Sequence, residues 1–336
     1  MTGRVSPTVQ SGRAPAGRLP DVATADAALE RLPSLAGRPR RLSLLTGGLT
    51  NRNYRVTTDT GDTYVARFSS VKSSLLAIDR TAEFRNSQIA AGAGVGPEVV
   101  EFAPDDGVLV VKWIDGRTFD ERTLDDEQQL SRVADTCRAL HAAPRFVSDF
   151  DMFDIQRRYL AVVREFGFRL PDDYLSFEPL VRRIERVLRA SAGPTVPCHN
   201  DLLAANIMDD GERLWLIDYE YSGNNDPCFE LGNVWSEAAL PPDRLEHLVA
   251  AYFGRPDPVQ TARARLFGLM AKYGWTLWAS IQDAVSDVDF DFWEWGMEKY
   301  ARARAEFRDP GLDRLITTID NADRSEGVHP WPTPLP

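Results

Sequence analysis

Cysteine is scarce in this chain, with three in 336 residues: Cys137, Cys198 and Cys228. An odd, scattered set supplies neither a disulfide framework nor a paired Cys-x-x-Cys metal site. It suits a reducing compartment, so a cytoplasmic location is expected. Long apolar runs are missing too: none approaches the ~20 residues that a membrane-spanning helix needs. No membrane insertion is expected. The first residues are basic but have no apolar stretch behind them, so they do not read as a secretory signal. Cations are in deficit, 39 Lys plus Arg against 50 Asp plus Glu, for a formal net charge of -11. A nucleic-acid footprint needs a clustered basic surface, and no such partner is expected. What is present is ordinary for a globular protein, 43% apolar and 26% charged residues, in a chain long enough for one large domain or two lobes.

Residues 1–20 are rich in Gly, Pro, Ser, Thr and Arg and read as a disordered tail. The proline-rich segment 326–336 reads as an extended one. Between them, Ala25 to Leu32 reads as a short helix with Thr24 as its N-cap. Asn53 to Thr58 and Thr63 to Phe68 flank the turn Asp59-Thr60-Gly61-Asp62, a hairpin signal. Leu75 to Ala91 reads as a helix stopped by Gly92, Gly94, Gly96 and Pro97. A second hairpin follows, Glu98 to Phe102 and Val108 to Ile114. This order suits a small antiparallel sheet with one helix, an α+β lobe over 21–116. After Gly116 the pattern changes. Leu124 to His141 and Phe177 to Ala190 are helical, and the chain after Glu237 is mostly helical. A larger, mainly helical lobe is expected over 117–325.

Residues 199–220 carry the chemistry. Asp201 and Asn206 are five apart, and Asp218 follows the strand-like run Leu214-Trp215-Leu216-Ile217. Phosphoryl transfer from ATP in kinase-like folds uses this set: one carboxylate meets the acceptor hydroxyl, while an amide and a strand-end carboxylate hold the metal. Asp201 is the candidate catalytic base. Asn206 and Asp218 offer the hard oxygens that suit Mg²⁺. Asp201 or Asn206 alone would pass as a turn cap; the three together point to catalysis. The expected fold is therefore bilobal and protein-kinase-like, with ATP as co-substrate. His199 and Glu220 are given structural roles.

Cys198-His199-Asn200-Asp201-Leu202, Asn206-Ile207 and Leu216-Ile217-Asp218-Tyr219-Glu220-Tyr221-Ser222 resemble the choline/ethanolamine kinases, part of the wider aminoglycoside-phosphotransferase-like kinases. Leu45-Thr46-Gly47-Gly48-Leu49-Thr50-Asn51 resembles their nucleotide loop. Trp275-x-x-Trp278 with Ile281-Gln282, and Asp289-Phe290-Asp291-Phe292, resemble their choline-pocket region. The likeness runs from about Leu44 to Arg304 in the expected order.

On the nucleotide side, Gly47 and Gly48 let backbone amides approach phosphate oxygens, and Asn51 adds a side-chain donor. Arg67 stands where protein kinases place a strand lysine, with Glu83 on the next helix as its natural partner. The resemblance also implies that adenine lies against the connection holding Lys112, Trp113 and Ile114. On the acceptor side, a quaternary ammonium is recognised by ring faces plus a carboxylate. Most of the aromatic residues crowded into 275–300 read as core packing; the resemblance selects Tyr221, Trp275, Trp278 and Trp295 as the rings and Glu237 as the anion, and an ordinary surface carboxylate is the competing reading of Glu237.

Three departures stand out. Glu230 replaces the family's usual aspartate, Trp295 stands where tyrosine is common, and the segment from Glu237 to Leu266 is short. The implied activity is ATP-dependent phosphorylation of the hydroxyl of choline or a related amino alcohol. An aminoglycoside, thiamine or another metabolite is the alternative acceptor, and an inactive nucleotide-binding scaffold is a third reading. Oligomeric state is not legible.

Overall fold

The computed structural model describes residues 19–46, 48–69 and 75–325. Gly47 and most of both expected tails lie outside that range. Leu19 and Pro20, at the edge of the expected N-terminal tail, are pinned. Arg52 donates to both of their carbonyls, at 3.2 and 3.1 Å, and the Tyr54 hydroxyl donates to Pro20 at 2.8 Å.

In chain order the first part comprises α1 (Val22–Leu29), β1 (Arg40–Leu45), β2 (Asn51–Thr58), β3 (Thr63–Ser69), α2 (Arg80–Gly92), β4 (Val99–Ala103) and β5 (Val108–Lys112). The strands form one antiparallel sheet in the order β1-β2-β3-β5-β4. Alternation along β3 does the positioning. Ala66 and Phe68 join a small core with Ala25, Leu29, Tyr54, Val56, Val108 and Val110. Arg67, between them, faces the other side of the sheet.

Then come β6 (Arg117–Thr118), α3 (Glu121–Leu124), α4 (Glu127–His141), α5 (Met152–Phe166), α6 (Glu178–Ala190), β7 (Val196–Cys198), β8 (Ile207–Asp209), β9 (Leu214–Leu216) and β10 (Gly223–Asn225). The chain finishes with α7 (Pro227–Glu237), α8 (Pro242–Phe253), α9 (Pro258–Val285), α10 (Phe292–Phe307) and α11 (Leu312–Ser325). Here β6-β8-β9 and β10-β7 form two small sheets among the helices. The central element is α9, 28 residues long and buried almost all round from Ala262 to Gln282, as a helix enclosed by others must be. It packs on α7 through Gly232 and Gly268. A Cβ at Gly268 would come 2.8 Å or less from backbone, at 2.7 Å from the Gly232 carbonyl oxygen. Among the described residues no helix is long and apolar enough to cross a membrane.

The α+β, bilobal, protein-kinase-like architecture is as expected, with some boundaries moved. The first helix starts at Val22, because Asp21 rather than Thr24 is the N-cap and accepts from the Thr24 N–H at 2.9 Å. Residues 75–77 form a turn, with Ala77 at φ 59°, and α2 starts only at Arg80, capped by Asp79. The helix expected from Leu124 begins only at Glu127 and runs to His141 as expected, with the short α3 ending at Leu124 before it. Asp126 caps a new start by accepting from the Gln129 N–H at 2.9 Å. In each case a local Asp side chain captures free N–H groups and outcompetes continued apolar periodicity.

Candidate active site

The segment from His199 to Asn206 leaves β7 and returns as β8. Its path is held by buried polar groups. Asn200 takes a left-handed backbone, φ 67°. Its amide donates to the carbonyls of Cys198, Tyr221 and Gly223 at 3.1–3.2 Å. Glu230, wholly buried on α7, accepts from the backbone N–H of His199 at 2.7 Å and of Asn200 at 2.8 Å. The unusual Glu230 therefore braces this loop directly. Asn233, one turn on, accepts from the Leu202 N–H at 2.8 Å. His199 donates from Nε2 to the Ile217 carbonyl at 2.8 Å, tying the loop to the end of β9.

The β8–β9 hairpin brings Asn206 and Asp218 together. Ile207 pairs with Leu216, and the Ile217 N–H donates to the Asn206 carbonyl at 3.0 Å. Asn206 donates its Nδ2 to the Asp201 carbonyl at 2.8 Å, which leaves Oδ1 as its remaining side-chain acceptor. Asp218 has φ 70°, a strained value for a non-glycine residue. Arg67 pairs with both Asp218 and Glu83, so the expected Arg67–Glu83 pair exists and the same guanidinium also joins the sheet to the residue after β9. The Asp218 side chain stays 32% exposed.

Electrostatics single out Asp201. Burial pushes its carboxyl well above the usual carboxylate range; Glu237, Glu220 and Asp218 push it further, and Lys299 opposes them. Burial likewise raises Asp218, against the pull of Arg67. Glu220 goes the other way. Burial alone would raise it, but Arg80, Arg67, Asn51 and Thr50 hold it below its ordinary value.

Two expectations on the nucleotide side need correction. The Asn51 amide is not free for phosphate. It donates to Glu220 at 2.9 Å and to Thr50 at 3.0 Å, and its oxygen accepts from Arg80 at 3.0 Å. Sheet geometry also takes the main-chain donors of Lys112 and Trp113. They bond the Glu98 carbonyl at 2.8 Å and the Thr63 carbonyl at 3.1 Å, so neither N–H is open to an adenine. The strand ends at Lys112, and Trp113 and Ile114 begin the connection that follows it. The Lys112 ammonium faces out, paired with Glu98 at 2.6 Å. Gly48 sits where a Cβ would meet the Asn51 carbonyl oxygen at 2.8 Å. Its glycine is thus needed for a close backbone approach.

The residues selected for the acceptor do come together. Trp278 donates its indole N–H to the Tyr221 hydroxyl at 2.7 Å. The Tyr221 and Trp275 rings are 5.0 Å apart, and those of Trp278 and Trp295 are 5.4 Å apart. The side chain of Glu237 is 2% exposed, which removes the surface reading. Sequence reasoning missed two residues. Arg80 bonds Glu83 at 2.7 Å and Glu220 at 3.1 Å. The Asp79 cap signal would have placed it in the first turn of α2. Lys299 pairs with Glu237 and stands 4.1 Å from the centre of the Trp295 ring. Its spacing of four from Trp295 on a helix was the available signal.

A two-lobed fold with carboxylates and an amide converging beside a buried aromatic group defines a kinase-like phosphotransferase. A family model described as the phosphotransferase enzyme family matches residues 41–267, more than half of the chain. A solved choline/ethanolamine kinase family protein from Mesorhizobium loti is 32% identical. The match covers 88% of this chain and 97% of that one, with a TM-score of 0.76. The LicA protein of Haemophilus influenzae is 28% identical over 70% of this chain and 72% of its own length. Ethanolamine kinase 1 of mouse is 26% identical over 75% and 79%. The chain belongs to the phosphotransferase enzyme family, on its choline/ethanolamine kinase branch, and acts on a hydroxyl acceptor.

Proposed function

We propose that the chain transfers the terminal phosphoryl group of ATP to the hydroxyl of a small amino alcohol of the choline or ethanolamine type. One observation carries this reading: the Asn206 amide donates to the Asp201 carbonyl at 2.8 Å and the Ile217 N–H donates to the Asn206 carbonyl at 3.0 Å, which holds Asp201, Asn206 and Asp218 together, and Glu237 and Lys299 are near enough to act on the Asp201 carboxyl. The candidate base is thus close to both the carboxylate chosen for the metal and the carboxylate chosen for the ammonium.

In this reading the acceptor oxygen attacks the γ-phosphorus, the bond to the β,γ-bridging oxygen breaks, and ADP leaves. Asp201 orients the hydroxyl and takes its proton. Arg67, fixed by Glu83, supplies positive charge on the phosphate side. Asn206 Oδ1 and the exposed part of Asp218 fit Mg²⁺: both are hard oxygens, and a divalent cation relieves the repulsion among Asp201, Asp218 and Glu220. Bound there, Mg²⁺ would neutralise charge on the transferring phosphates. Gly47, Gly48 and Ile114 are the remaining candidates for nucleotide contacts, and Tyr221, Trp275, Trp278, Trp295 and Glu237 line the acceptor side. The assignment of 21–116 to the nucleotide and 117–325 to catalysis and the acceptor belongs to the same proposal.

The test is ADP release over a panel of amino alcohols, aminoglycosides and thiamine, with Mg·ATP present. Turnover confined to amino alcohols is expected. Asp201→Asn should abolish it while nucleotide binding persists. Turnover restricted to an aminoglycoside, or full activity in Asp201→Asn, overturns the reading.

A further inference from the structure

The cation seat of the acceptor box already has an occupant. A buried carboxylate and an aromatic face are what an ammonium ligand requires. In this structure the Lys299 ammonium is paired with Glu237 Oε2 and stands over the Trp295 ring, 4.1 Å from its centre. Its side chain is 3% exposed. The chain holds four lysines against thirty-five arginines, so most of its ion pairs use the guanidinium fork. A fork can take both oxygens of a carboxylate; an ammonium is a compact point charge. Consistent with that, Glu237 is only half used. Its second oxygen, Oε1, is buried and without a hydrogen-bond partner among the described residues.

We infer that Lys299 is a resident ammonium that makes the acceptor site selective for amines bearing N–H, because Glu237 Oε1 is left for a donor while Oε2 and the Trp295 face are taken. This rests on the proposed amino-alcohol acceptor and refines it. A primary ammonium brings three donors and can satisfy Oε1 directly. A quaternary ammonium brings none. It would leave the buried oxygen unsatisfied and would find the Trp295 face covered. The acceptor class that follows is a primary amino alcohol, with ethanolamine as its simplest member and choline disfavoured. Lys299 also adds positive charge near Asp201, opposing the carboxylates that raise it. The substrate's ammonium therefore joins a site where Glu237 is already partly neutralised. Hydrogen bonding, rather than net charge, is left to discriminate among amines.

The experiment measures kcat/KM for ethanolamine and its N-methyl, N,N-dimethyl and N,N,N-trimethyl forms on the unaltered protein with saturating Mg·ATP. The expected result is a fall along the series, with ethanolamine preferred over choline by about tenfold or more. The loss should lie mainly in KM. Tetramethylammonium should fail to compete at concentrations where methylammonium does. A second arm uses Lys299→Met, which frees both the whole carboxylate and the ring. The KM for choline should then fall, and the ethanolamine-to-choline ratio should drop by roughly tenfold. If Lys299→Met does not fold, the wild-type series decides alone. Choline equal to or better than ethanolamine in the wild type overturns the inference and leaves the kinase reading standing. An unchanged ratio in a folded Lys299→Met overturns it as well. No turnover on any amino alcohol removes the acceptor reading beneath it.

Discussion

Glu220 reaches from the catalytic half of the chain to Asn51 in the sheet, where the Asn51 amide donates to it at 2.9 Å. Thr50 donates to the other oxygen at 2.9 Å, and Arg80 at the start of α2 adds a third bond at 3.1 Å. A single buried carboxylate thus fixes where the strand edge and the first turn of α2 sit relative to Asp218, two residues away. This is the physical content of the structural role expected for Glu220.

Removing that carboxylate takes away the one acceptor shared by Thr50, Asn51 and Arg80. Glu220→Ala should cost roughly 3 kcal/mol of stability, the range for breaking one side of a buried pair. It should also raise the KM for ATP, since the two halves lose their registration. Urea unfolding with parallel nucleotide titration checks this; a loss below about 0.5 kcal/mol with unchanged KM would show the contact to be incidental.

Arg67 serves two carboxylates, Glu83 on α2 and Asp218 just after β9. A lysine keeps the charge but not the fork. Arg67→Lys should weaken ATP binding by about tenfold, the equivalent of one charge-assisted hydrogen bond. The measurement is ATP affinity at fixed Mg²⁺. Wild-type affinity in the lysine variant would mean that the phosphates do not meet the fork.

Glu230 holds two consecutive N–H groups of the loop that presents Asp201. It acts through the backbone, so its loss should disturb the base more than the nucleotide. Glu230→Ala should lower kcat by at least about tenfold, destabilise the fold by about 3 kcal/mol, and leave the KM for ATP within a few-fold. A KM effect larger than the kcat effect would contradict this division.

His199 provides a pH test. Burial holds its imidazole below the ordinary 6.5, outweighing the opposing effect of Glu230. For a histidine whose folded value is depressed, the stability contribution is present above the unfolded value and is lost as pH falls. Between pH 6.5 and 5 the wild type should therefore lose stability faster than His199→Asn, by up to one proton, or about 1.4 kcal/mol per pH unit. Chemical unfolding at several pH values measures the difference. Parallel slopes would mean that His199 protonates as easily in the fold as outside it.

Legibility followed sequence distance. Asp201, Asn206 and Asp218 are neighbours, as expected, because the loop after β7 and the β8–β9 hairpin that follows it bring them together within eighteen residues of sequence. The same holds for Trp275 and Trp278, one turn apart on α9. Arg80 was missed because the apolar pattern from Leu75 to Ala91 was followed in preference to the Asp79 cap signal that marks where α2 begins. Asn51 was misread for a related reason: an amide beside two glycines suits phosphate equally well until its partner is known. That partner, Glu220, lies 169 residues away.

The order of residues by itself determined the fold class, the reaction type and the local unit that sets Asp201 beside an amide and a strand-end carboxylate. Those follow from periodicity, turn chemistry and short-range spacing. Only the folded chain decided which buried charge meets which. Lys299 sits on Glu237, Glu220 on Asn51, and Glu230 on the loop before Asp201. Each of those partners is at least 30 residues off in sequence. In a low-dielectric interior a carboxylate takes whatever donor packing delivers to it, and that delivery is a property of the assembled core.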